Sequence, residues 1–196
     1  YWDIKKVYHE MKQKPVRDYA EAKELLLRAV GEYPHNLGEG KLESGQENNL
    51  YYLLGLVQEK LGEAKDAFES LTRACCGESE PVGMMYYNDQ PPEMIYYQGL
   101  AYRMLGEEEQ AVRRFQKLVD YGREHIRDDV KIDYFAVSLP DLLIFEENLN
   151  ERNRKHCLFM MSLGLKGLGR IDEAEKCAEE LLAMDNAHQE IRVHDL

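Results

Sequence analysis

Cysteine is scarce in this chain, with four among 196 residues: Cys75, Cys76, Cys157 and Cys177. None stands in a CxxC pair, and neighbours such as Cys75 and Cys76 seldom close a disulfide. Free thiols in a reducing compartment are the simplest reading, and a cytoplasmic location is expected. Cys177 falls in an amphipathic stretch, where a free cysteine acts as a small hydrophobe. Long apolar runs are missing too. No stretch reaches the roughly 20 residues that cross a bilayer, so no membrane partner is expected. Positive charge is short: 25 Lys and Arg face 37 Asp and Glu, a formal charge of −12. That balance repels phosphate backbones and argues against nucleic acid as a partner. No secretory leader opens the chain. Tyr1 is not an initiator residue, so a piece of a longer protein is expected.

Catalytic spacing is equally thin. The six histidines, His9, His35, His125, His156, His188 and His194, form no HExxH and no metal-ligand spacing with cysteine or carboxylate. His156 beside Cys157 suggests a nucleophile with its base. Adjacent helical residues point about 100° apart, however, and do not readily share a proton. Acid-rich runs such as "GEEEQ" and "FEEN" suit helix starts, where negative charge meets the positive end of the helix dipole. "SLGLKGLGR" follows no strand and lacks the GK(S/T) ending of a phosphate loop, so helix packing and a turn explain it better. No catalytic residue, cofactor or metal ligand is assigned, and the chain is not read as an enzyme.

What the chain does hold is a core-forming composition, 44% hydrophobic, written as a repeat. "YYLLGLVQEKLGEAKDAFESLTRA" (51–74) and "IYYQGLAYRMLGEEEQAVRRFQKL" (95–118) superpose with Gly55 on Gly99. Each then reads small residue, seven steps, Gly, five steps, Ala, four steps, large apolar residue. "GLGRIDEAEKCAEELLAMD" carries Gly169, Ala174, Ala178 and Leu181 at the offsets of Gly106, Ala111, Phe115 and Leu118. "YAEAKELLLRAVGEYP" gives Ala22, Leu26, Ala29 and the helix-stopping Pro34. Small residues such as Gly55, Gly99 and Ser162 let a second helix approach, and Ala67, Ala111 and Ala174 answer from that helix. Gly62, Gly106 and Gly169 end the first helix in a left-handed turn.

This pattern resembles the tetratricopeptide repeat, whose period is about 34 residues. The resemblance implies an all-α, right-handed superhelix of about four helix-turn-helix units in one domain, 1–196. The units fall near 1–34, 47–76, 91–122 and 151–186. In the first, only the second helix matches. The spacings Ala22 to Ala67, Gly62 to Gly106 and Gly106 to Gly169 are 45, 44 and 63 residues. They exceed the family period by about 11, 10 and 29. "HNLGEGKLESGQ" is expected to be an exposed loop. "CCGESEPVGMMYYNDQPP" is a loop with an apolar middle, and Pro91 and Pro92 suit the first turn of the next helix. The inserted segment 128–150 is mostly apolar from Tyr134 to Phe145, broken by Pro140. It is expected to lie against the helical stack with a short helix from about Pro140, and Asn150 is expected to cap the next helix.

In tetratricopeptide repeats the first helix of each hairpin lines a concave groove. Three residues before the small residue, that groove position holds Tyr52, Tyr96 and Phe159. One residue after it stand Leu56, Leu100 and Leu163; four after it stand Glu59, Arg103 and Lys166. Relatives that grip chaperone tails place Lys and Asn at the first two positions, so that clamp is absent here. Tyr52, Leu56, Tyr96, Leu100, Arg103, Phe159, Leu163 and Lys166 are the candidate partner-binding residues. The aromatics suit a protein or peptide partner, or cover by the chain's own insertions or by an N-terminal region of the same protein. The run from "DYFAVSLPDLLIFEENLNERNRKHC" to "AMDNAHQE", within residues 90–196, also resembles the helical tail of a bacterial family of uncharacterised function, with a mutarotase-like, β-rich front region. That resemblance implies the alternative of an accessory domain in a carbohydrate-active enzyme, with sugar stacking on the groove aromatics, and assigns no catalytic residue.

Overall fold

The computed structural model describes residues 18–31, 46–83, 89–131 and 148–194. Among them are eight helices and no strand. These are α1 Tyr19–Gly31, α2 Asn48–Lys60, α3 Ala64–Ala74, α4 Pro92–Met104, α5 Glu108–His125, α6 Leu149–Gly167, α7 Ile171–Met184 and α8 Gln189–Val193. The fold is all-α and tetratricopeptide-like. The expected first helix of unit 1–34, the loop around residue 40 and the segment Tyr134–Phe145 lie outside the described residues.

Three hairpins, α2–α3, α4–α5 and α6–α7, turn on the same device. The amides of Gly62, Gly106 and Gly169 donate to the carbonyls of Glu59, Arg103 and Lys166 at 3.0–3.1 Å. The next amides, of Glu63, Glu107 and Arg170, donate five residues back to Gln58, Tyr102 and Leu165 at 2.9 Å. This pair of bonds requires a left-handed residue at its centre, and the three glycines sit at φ 79°, 80° and 75°. The helix therefore stops after a fixed count, and the chain reverses into its partner.

The chain divides into two compact units, Tyr1–Ser79 with Glu93–Arg114, and Glu80–Pro92 with Phe115–Leu196. In the first, α1 packs on α2 and α2 on α3. Ala22, Leu26, Leu50, Leu53, Leu54 and Val57 form one cluster; Leu71, Ala74, Cys75 and Ala101 form another. A Cβ on Gly55 would stand 2.7 Å from Leu71 Cγ and 3.4 Å from the Ala67 carbonyl oxygen. The small residue thus sits where the pattern requires, under the facing helix. In the second unit α6 packs on α7, and Phe115, Leu118, Leu158, Met160 and Leu181 are buried. Here the tightest approaches are at Gly167, Gly122 and Gly164, which the repeat pattern does not mark. A Cβ at Gly164 would meet the Phe115 carbonyl oxygen at 2.6 Å. Ser162 is buried as well, its hydroxyl donating to the Phe159 carbonyl at 2.7 Å.

Buried amides fix the helix ends. Asn48 Nδ2 donates to the carbonyls of Ala74 and Cys76 at 2.8 and 2.7 Å. Gln98 Nε2 donates to Cys76 and Glu78, and its Oε1 accepts from Arg114 Nε at 3.1 Å. Asn153 Nδ2 donates to the His125 carbonyl that ends α5. The expected cap of α6 is corrected. Asn148, not Asn150, accepts the Glu151 amide and opens the helix. Asn150 is already inside α6; it accepts from the Val130 amide at 2.7 Å and donates to Asp129. Both are asparagines one residue either side of Leu149, so composition alone gives no choice between them.

Candidate functional site

Four-residue spacing on α2 and α4 puts Tyr52 with Leu56, and Tyr96 with Leu100, on one face of each helix. In the first unit these faces join through Tyr97. Its ring lies 5.5 Å from Tyr52, tilted by 46°, and 5.8 Å from Tyr96, near edge-on at 66°. Such geometries suit the quadrupoles of aromatic rings and hold them firmly. Tyr96 and Tyr97 are buried, whereas Tyr52, Leu56 and Leu100 are partly buried, the first two against the cluster of α1 and α2. The result is a firm aromatic base beneath accessible apolar surface. The repeat spacing does not single out Tyr97, because it falls between the groove-facing positions.

Arg103 lies on the same face of α4, seven residues after Tyr96. Its Nε stands 3.0 and 3.2 Å from the two Glu108 carboxylate oxygens, and its Nη2 stands 2.7 Å from one of them. This fork fixes an otherwise mobile side chain across the Gly106 turn. The hydrogen bonds from Arg103 hold the exposed Glu108 carboxyl below its usual range. Burial raises the Tyr52 phenol; the Arg103 charge opposes that and Glu59 adds to it. The phenols of Tyr52 and Tyr96 both act electrostatically on Arg103. The first unit therefore presents two leucines, a tyrosine and a fixed guanidinium.

The three candidates of the second unit are placed differently. Phe159 is buried and Leu163 has no exposed surface, so both serve the core. The Phe159 ring lies 5.3 Å from His188 and 5.9 Å from His194. Lys166 Nζ donates to the His194 carbonyl. The chain's own α8 thus covers this face of α6.

The remaining candidate chemistry is dispersed. His156 Nε2 is 2.8 Å from the Val82 carbonyl, while the Cys157 thiol points to Asn153 Oδ1. The two neighbours have separate partners. Burial lowers the His156 imidazole and pushes the Cys157 thiol up to about 12, which suppresses the thiolate a nucleophile needs. Among the described residues no group of three or more His, Cys, Asp or Glu side chains is arranged to hold a metal. No described helix is long and apolar enough to cross a membrane.

Comparison with solved structures finds similarity to a crystal structure of MamA, at 19% identity over 88% of this chain and 71% of that one. The TM-score of 0.28 is too low to carry an argument from that structure. Residues 93–121, which hold Tyr96, Tyr97, Leu100, Arg103 and Glu108, match the family model of the tetratricopeptide repeat.

Proposed function

We propose that the chain is a non-catalytic scaffold of tetratricopeptide type. It binds a protein segment over Tyr52, Leu56, Leu100 and Arg103 of the first unit. The observation that carries this reading is the contrast between partly buried leucines and a tyrosine there, backed by buried rings, and the covered face of α6. Aromatic and arginine side chains held in place before binding lose little entropy when a partner arrives, which is why they dominate binding surfaces. No observation in either unit favours the alternative of an accessory domain in a carbohydrate-active enzyme.

The test is site-specific photo-crosslinking in cells, with a benzophenone amino acid at Tyr52, Leu100 or Phe68. Phe68 is 62% exposed on α3 and serves as the control. One protein adduct shared by positions 52 and 100, and absent at 68, is expected. Once that partner is purified, Leu56→Glu should weaken it by about 2 kcal/mol or more, roughly thirtyfold. Equal labelling at all three positions, or unchanged affinity for Leu56→Glu, refutes the reading.

A further inference from the structure

The C-terminal helix α8 has five residues. A helix this short does not persist in water on its own, because too few hydrogen bonds follow its nucleation. Its order comes from what holds it. Ile191 is fully buried. Lys166 Nζ, from α6, donates to the His194 carbonyl at the C-terminal end. The rings of His188 and His194 both lie against that of Phe159. His194 Nδ1 lies 2.7 Å from the Glu190 carbonyl, which can only accept, so that nitrogen carries the hydrogen. At the other end His188 Nδ1 accepts the Ile191 amide and caps the helix.

That cap needs a lone pair. A protonated imidazole has none, since both nitrogens become donors. We propose that α8 is a pH-released latch: a proton on His188 breaks the cap, and the helix leaves the α6 face that carries Phe159 and Lys166. The surroundings of His188 set the sign. Asp185 in the preceding turn and Glu190 on α8 favour the proton; Lys155 on α6 opposes it, and His156 on α6 is also within electrostatic reach. Burial outweighs the two carboxylates, and the imidazole titrates below its ordinary range. The docked state thus binds the proton less well than the released one. Docking has full strength above about pH 6.5, the ordinary histidine value, and weakens as pH falls through it. This latch does not depend on the binding role proposed for the first unit.

The experiment is hydrogen exchange on the full chain, with rates corrected for intrinsic pH dependence. Protection of amides 191–194 is compared at pH 7.5 and 5.5. An undocked histidine near its ordinary value gives about a tenfold loss over that interval. Amides of α6 and α7 should keep their protection. His188→Asn keeps a capping oxygen without a titrating nitrogen, so it should hold α8 at both pH values. A variant-free check is the NMR titration of the His188 ring, whose midpoint must lie below that of a histidine in an unstructured peptide. Unchanged protection in the parent, an equal loss in His188→Asn, a loss shared by α6 and α7, or a His188 midpoint at or above the unstructured value each overturns the latch.

Discussion

Gly164 shows how little room a single side chain has. A methyl group there would stand 2.6 Å from the Phe115 carbonyl oxygen and 2.7 Å from Val119 Cγ2. Backbone cannot swing aside as a side-chain tip can, so overpacking should cost about 1–3 kcal/mol. Alanine recovers about 1 kcal/mol of helix propensity. Gly164→Ala is therefore expected to lower the urea midpoint, while Gly31→Ala, with nothing within 4 Å, should not. An unchanged midpoint for Gly164→Ala means that α6 and Phe115 do not pack this closely. The cysteines make a second residue-level test. Burial, with smaller additions from Glu107 and Cys76, pushes the Cys75 thiol up to about 12, and Cys157 reaches the same value. Cys76 is exposed. Peptide mapping after brief alkylation at pH 7.5 should find Cys76 modified first. Cys75 and Cys157 should react only on unfolding.

The amide pins decide where a helix ends and how the chain leaves it. Asn48 is buried, with both amide hydrogens on carbonyls at and beyond the end of α3. Asn48→Ala strands those acceptors and should cost about 1–3 kcal/mol, read as a lower denaturant midpoint. Asn148→Ala should cost about 1 kcal/mol through loss of the α6 cap. Asn148→Asp should cost little, because aspartate caps as well. If Asn150→Ala proves as costly as Asn148→Ala, the assignment of the cap is wrong. The hairpins were legible because Gly62, Gly106 and Gly169 demand one backbone conformation and recur at one offset from Ala67, Ala111 and Ala174. The pins were not. Asn48, Gln98 and Asn153 stand seven, one and nine residues before Gly55, Gly99 and Ser162, so no period announces them. Of the candidate site, spacing placed Tyr52, Leu56, Tyr96 and Leu100 on helix faces with Arg103. It did not reveal Tyr97 or Glu108. Nor did it show α8 over Phe159, because a contact between Phe159 and His188 arises from tertiary packing and not from a helical repeat.

A formal charge of −12 acts on the whole molecule at once. Folding draws acidic groups together that lie farther apart in the unfolded chain, so self-repulsion opposes the compact state. Against it stand ion pairs such as Arg103–Glu108, Arg113–Glu109 and Arg170–Glu173, all with appreciably exposed side chains. Exposed pairs contribute about 0–1 kcal/mol each and are screened like any surface charge. Salt weakens both effects, and the sign of its action tells which is larger. Twelve uncompensated negative charges interact over the whole surface, with a screening length of about 30 Å at 0.01 M and about 10 Å at 0.1 M. Each pair acts only over its own contact. Repulsion should therefore lose more than the pairs do when salt is added. The urea midpoint, monitored by far-ultraviolet circular dichroism, is expected to rise between about 0.01 and 0.1 M sodium chloride. A fall over that range would show that local pairing dominates, and that the acidic surface is not a cost to the fold.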